Sequence, residues 1–119
     1  MKVLVCGGRD FSNEELLIVE LDAIMRKELY VTCLIHGAAR GADSLAGKYA
    51  REHGIQEVIC PANWGQFGKA AGYRRNKSML DLSPNLVVAF PGGAGTANMI
   101  ALAERQGVRV IQIGLKTGE

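Results

Sequence analysis

The amino-acid sequence predicts an α/β fold: a single three-layer α/β/α domain over residues 1–119, built on a five-stranded, mainly parallel sheet. Three observations point there. Five short runs rich in Val, Ile and Leu lack the in-and-out alternation of a one-sided sheet, as expected of strands covered on both faces. The segments between them carry apolar residues at helical spacing. Strand and helix alternate along the whole chain, the order a parallel sheet needs for its crossovers.

Taken in order, the first strand covers 2–6 and ends on Gly7-Gly8. Leu17, Leu21, Ile24 and Met25 then recur at i, i+4, i+7 and i+8, and Ser12 with Glu15 reads as a capping box opening that helix. The second strand, 31–36, leads into a helix carrying Leu45, Ala46, Tyr49 and Ala50, which stops at Gly54, a residue suited to a helix C-terminus. A third strand, 56–60, precedes the longest irregular stretch, 61–68, and then a helix over 69–82 closed by Ser83-Pro84. The fourth strand is 86–90, the fourth helix runs from 95 to 106 and stops at Gly107, and the fifth strand is 109–113. Residues 116–119 are expected to fray.

Composition excludes several function classes. At 48% hydrophobic and 22% charged residues the chain has the balance of a globular protein. Its 15 glycines in 119 residues are about 13%, against a usual ~7%, and follow no collagen period, so they serve turns and close backbone approaches. Fourteen Lys and Arg against twelve Asp and Glu give a net +2, too small a bias to announce a nucleic-acid protein. No apolar run reaches the ~18 residues of a membrane span. The apolar N-terminal stretch is too short for a signal peptide. Cys6, Cys33 and Cys60 sit in or beside apolar runs, which suits buried reduced thiols and a cytoplasmic location. With no C-x-x-C pair, no G-x-G-x-x-G and no Walker lysine, neither a metal nor a resident cofactor is expected.

Open parallel sheets bind ligands at the carboxyl ends of their strands, and the distinctive residues fall there. Gly7-Gly8-Arg9-Asp10-Phe11 follows the first strand, His36-Gly37-Ala38-Ala39-Arg40-Gly41-Ala42-Asp43 the second, and Pro91-Gly92-Gly93-Ala94-Gly95-Thr96 the fourth. Such loops expose backbone N–H groups to an anion at helix N-termini. Asp43 is read either as the cap of its helix with Arg40 as its partner, or as a ribose ligand with Arg40 on a phosphate. His36 suits a hydrogen bond to backbone at the strand end better than catalysis. Trp64 offers a stacking face, and Lys69, Arg74, Arg75 and Lys77 follow with no acidic residue between them.

These three loops and Gly68-Lys69-Ala70-Ala71-Gly72-Tyr73-Arg74-Arg75-Asn76, in this order, resemble the YspA/cpYpsA-related branch of the SLOG superfamily, over nearly the whole chain. That superfamily also holds the lysine-decarboxylase-like LOG proteins and the Smf/DprA DNA-processing proteins, and its members occur in bacteria and phages. The resemblance implies a Rossmann-like fold, a pocket for a nucleotide-derived ligand, and self-association into a homo-oligomer. LOG phosphoribohydrolases use an arginine, which Arg75 matches, and a glutamate just after their P-G-G-x-G-T loop. Here Ala97, Asn98 and Met99 follow Thr96. Asn98 bonds a sugar hydroxyl but is no general base.

The leading expectation is therefore binding of a nucleotide or nucleotide-derived small molecule, for sensing or sequestering. Pro91, Gly92, Gly93, Gly95 and Thr96 would hold phosphate with Gly7, Gly8, His36, Gly37 and Gly41 beside them; Arg9, Arg40, Lys69, Arg74 and Arg75 would add charge; Asp43 or Asn98 would hold ribose; and Trp64 or Phe11 would cover the base. The second expectation is a phosphoribohydrolase-type enzyme whose base is Asp10, His36 or Asp43. The third is DprA-like single-stranded nucleic-acid binding on Lys69, Arg74, Arg75 and Lys77, which the low net charge disfavours.

Overall fold

The computed structural model describes residues 1–28 and 30–114, so the expected fraying of 116–119 lies outside the described residues. The element order is β1 (Lys2–Cys6), α1 (Glu14–Lys27), β2 (Cys33–His36), α2 (Ala42–Glu52), β3 (Gln56–Ile59), α3 (Trp64–Phe67), α4 (Ala71–Leu80), β4 (Leu86–Ala89), α5 (Ala94–Arg105) and β5 (Arg109–Gln112). All five strands are parallel, in the order β3-β2-β1-β4-β5. The sheet is thus wholly parallel rather than mainly so, and the fold is Rossmann-like.

Side chains leave a strand on alternate faces, and the two cores follow from that. Val3, Val5, Leu34, Leu86 and Val88 face Leu17, Leu21 and Ile24 of α1 and Ala46, Tyr49 and Ala50 of α2. Leu4, Cys6, Ile35, Val87 and Ala89 face Met79 and Leu80 of α4 and Met99 and Ala103 of α5. Apart from Lys2 the three central strands are buried throughout, which is why they lack alternation in sequence, whereas β3 and β5, expected to be covered on both faces, are only partly buried because each is an edge of the sheet. Among the described residues no helix is long and apolar enough to cross a membrane.

Two local expectations are corrected. The cap of α1 is Asn13, whose side chain accepts from the Leu16 amide at 3.0 Å, not Ser12. Asn and Ser cap equally well, so residue type alone does not choose between the two positions. The stretch 61–68 is not irregular throughout. Asn63 Oδ1 accepts from the Gln66 amide at 3.0 Å and starts α3, which Gly68, at φ 54°, ends before a short 3-10 turn over Gly68–Ala70.

Candidate functional site

The strand order reverses direction between β1 and β4, because β1 runs on to β2 on one side and β4 to β5 on the other. Crossover helices diverge at such a point and leave a crevice outside the carboxyl ends of the strands. A cleft of about 340 Å³ opens there, lined by Gly7, Gly8 and Arg9 after β1, Ala39 and Asp43 after β2, Trp64, Lys69, Gly72, Tyr73, Arg75, Asn76 and Met79 from the α3–α4 segment, and Gly93, Ala94, Gly95 and Thr96 at the start of α5, with Cys6 at its edge. A recess of about 310 Å³ adjoins it, sharing Arg9, Ala39, Trp64 and Arg75 and adding Gly37, Ala38 and Arg40.

The three loops are packed backbone against backbone. The Gly8 amide donates to Pro91 O at 2.8 Å, and Gly8 O accepts from the Ala42 amide at 3.2 Å. A Cβ on Gly41, whose φ is 81°, would stand 2.2 Å from Gly8 O, and one on Gly92 would stand 2.6 Å from Gly8 N. Gly41 and Gly92 therefore let the loops meet, and line neither the cleft nor its recess. The cleft is closed on its far side by the start of α5. Its N-cap is Gly93 and no side chain caps it, so the first amides of this helix face the cleft unassisted.

His36, Asp43 and Arg75 hold the 37–39 segment. The Ala38 amide donates to His36 Nδ1 at 3.0 Å, which leaves the ring proton on Nε2, donated to Glu57 Oε2 at 2.6 Å. Glu57 also takes Arg51 at 2.8 Å. The His36 bond, with Arg51 behind it, lowers the Glu57 pKa below the ordinary value. The Gly37 and Ala39 amides donate to Asp43 Oδ2 at 3.1 and 3.2 Å, and Arg75 donates to Gly37 O. Ala38 consequently sits at φ 64°, a strained position for a residue with a Cβ.

Asp43 is not the cap of α2: Gly41 holds that position, and Asp43 lies within the first turn, 6% exposed. Burial pushes its carboxyl above the ordinary carboxylate range, opposed by the Ala39 amide, Arg75, His36 and the Gly37 amide. Nor does Arg40 pair with Asp43. Its guanidinium lies 3.5 Å from Asp10, whose side chain is 97% exposed. Burial likewise drives the Cys6 thiol up to about 12, so it stays protonated.

The expected ligand residues therefore divide. Gly7, Gly8, Arg9, Asp43, Trp64, Lys69, Arg75, Gly93, Gly95 and Thr96 come together on the cleft, and Gly37 and Arg40 on its recess. Phe11, His36, Arg74, Pro91 and Asn98, like Gly41 and Gly92, line neither. Phe11 packs tilted against Phe90, ring centroids 5.2 Å apart, Arg74 lies over Phe67 at 4.3 Å, and Asn98 Oδ1 accepts from Asn76 at 3.0 Å. The four basic residues do not form one strip, because Arg74 is drawn to Phe67 while Lys69 and Arg75 face the cleft. Of the three candidate bases, His36 has both ring nitrogens engaged and Asp10 stands in solvent; Asp43 alone reaches the cleft.

Tyr73, Asn76 and Met79 were not singled out by sequence reasoning. Asn76 fastens α4 to α5 by donating to Gly95 O at 3.1 Å and to Asn98. The signal for it was available: Asn76 falls three and four residues before Met79 and Leu80, on the inward stripe of its helix.

The family model for the YspA, cpYpsA-related SLOG family matches residues 1–67. The gene 61 protein of Mycobacterium phage D29 is 31% identical over 122 residues, covering 97% of this chain and 98% of the phage protein. This chain belongs to the YspA, cpYpsA-related SLOG family. Among solved structures, the Moco carrier protein from Chlamydomonas reinhardtii has a similar fold, with a TM-score of 0.68 and 22% identity over 97% of this chain and 76% of that one. The family match spans β1, β2 and β3 with the first two glycine loops, and the likeness of fold extends to the α5 end of the cleft.

Proposed function

We propose that this SLOG-family chain binds a nucleotide or nucleotide-derived small molecule in the β1/β4 cleft, to sense or sequester it. The observation that carries the reading is the meeting in one small cleft of an uncapped helix N-terminus, the Lys69 and Arg75 cations and a half-exposed Trp64 indole. Free amides and cations suit a phosphate. The indole, with the Arg9 guanidinium 5.1 Å above its ring, suits a flat heteroaromatic group. A volume near 340 Å³ is that of a small-molecule site. The protein of similar fold from Chlamydomonas is named as a carrier of Moco, which supports carriage of a small molecule as a use of this architecture.

The test is to denature the purified protein and identify released small molecules by mass spectrometry, alongside thermal shifts with a panel of nucleotides. A ligand at ~100 times its Kd adds ~2.7 kcal/mol and raises the Tm visibly. An intact nucleotide that is released and stabilises the fold supports the reading; no released molecule and no shift across the panel would sink it. A second reading, hydrolysis of the N-glycosidic bond, has one observation in its favour, the Asp43 carboxylate on the cleft. Release of free base and ribose phosphate would establish turnover, and its loss in Asp43→Asn with ligand binding retained would make Asp43 the base.

A further inference from the structure

The cleft holds two poles of opposite sign. One is the uncapped start of α5 with Lys69; the other is Asp43. Both loop amides converge on Asp43 Oδ2, and among the described residues Oδ1 has no hydrogen-bond partner. Asp43 as a whole is more than nine-tenths buried, yet no sealed side-chain oxygen among the described residues lacks a partner, so Oδ1 reaches open space and, on the cleft, is free to accept a donor from whatever fills it. The carboxylate also repels an anion that approaches it, an effect that Arg75 beside it offsets in part, so an anionic group is favoured toward the α5 side. The alternative sugar-binding residue, Asn98, is removed from the cleft and already accepts from Asn76.

We propose that Asp43 is a specificity-determining residue: its free oxygen accepts a hydrogen bond from a ligand hydroxyl placed near the ligand's anionic group, so the cleft selects ribonucleotide-like ligands over bare phosphates and over analogues lacking sugar hydroxyls. The inference rests on the binding role proposed above. It goes further by fixing which chemical groups the ligand must carry together.

The experiment is isothermal titration of the wild-type protein and of Asp43→Asn with the adenosine, guanosine, cytidine and uridine 5′-monophosphates, their 2′,3′-dideoxy counterparts, and inorganic phosphate. The Asn carbonyl still accepts from the Gly37 and Ala39 amides, while its NH₂ turns the free position from acceptor to donor. The expected result is that wild-type protein binds a ribonucleotide at least about tenfold more tightly than its dideoxy counterpart, the usual worth of a hydrogen bond to a charged group. Asp43→Asn should shrink that preference several-fold, because its neutral NH₂ donating to the hydroxyl oxygen replaces a charge-assisted bond, while leaving the affinity for dideoxynucleotide and phosphate unchanged or improved. Equal loss for all three probes would reduce Asp43 to a brace of its loop and overturn the proposal. Equal wild-type affinity for ribo- and dideoxynucleotides would overturn it too, without any variant, and would leave the binding role standing. Absence of binding to every nucleotide would remove both.

Discussion

On the β2–α2 side of the cleft, His36 and Asp43, with Arg75 reaching across from α4, spend their hydrogen bonds on the chain itself, whereas on the α3–α4 side Trp64 and Tyr73 stand 48% and 49% exposed and Lys69 makes no ion pair among the described residues. The first wall is fixed by backbone geometry: glycines admit one loop against another, and buried polar groups satisfy one another save for Asp43 Oδ1, which stays open to the cleft. The second offers side chains that pack on little and are free to pack on a ligand. The residues most suggestive of catalysis in sequence thus belong largely to the scaffold, and those suggestive of a surface belong to recognition.

The sharpest way to break this contrast is at the loop crossing. Gly41→Ala places a Cβ 2.2 Å from Gly8 O in a backbone conformation that L-residues rarely adopt. Strain and clash together should cost about 3 kcal/mol or more, lowering the Tm by at least ~10 °C. Gly93→Ala is the matched control. A Cβ there meets nothing within 4 Å, so urea denaturation should find it within ~0.5 kcal/mol of wild type. Equal costs for the two would mean that the loops are not packed as described.

The pinned wall makes a second, smaller prediction. Glu57→Gln removes the carboxylate that His36 and Arg51 share, and should destabilise by roughly 1.5–3 kcal/mol at neutral pH. The Glu57 pKa is lowered on folding, so its contribution is present above the ordinary carboxylate pKa and is lost as pH falls through the folded value. The gap between variant and wild type should therefore close in acid. A gap that stays constant with pH would show that the second acceptor oxygen, which Gln replaces with an NH₂, and not the charge, is what the glutamate supplies.

How much of this was legible beforehand follows from how local each feature is. The strand runs carried their burial in sequence, and β1 has the predicted limits. Only β2 is notably shorter, because Thr32 bonds Met1 O outside the regular ladder. A cleft at the carboxyl edge of the sheet was to be expected from the alternation of elements alone. The pairing of His36 with Glu57 did not, because their contact depends on β2 lying beside β3 in register, His36 opposite Ile59. For the same reason Asp43 looked like a cap: its spacing from Gly41 suits capping, and only the fold shows the Gly37 and Ala39 amides turned toward it. Phe11 looked available for a base until Phe90, 79 positions away, took its face.

On the open wall, Trp64→Ala should leave the urea midpoint nearly unchanged, since the indole is half in solvent, and weaken nucleotide binding about tenfold, the low end of base–aromatic stacking. A large loss of stability with no loss of affinity would move Trp64 to the scaffold. Arg74→Ala is the smallest effect and the most discriminating. Arg74 is the neighbour of Arg75 in a basic run, yet its guanidinium lies over Phe67 and off the cleft. An exposed cation–π contact is worth about 0.5–1 kcal/mol, so the Tm should fall by only a few degrees. Nucleotide affinity, and its dependence on salt, should match wild type. If Arg74→Ala instead flattened the salt dependence as much as Lys69→Ala does, the basic residues would act as one electrostatic strip for a longer polyanion. The division between a scaffold wall and a recognition wall would then have to be redrawn along α4.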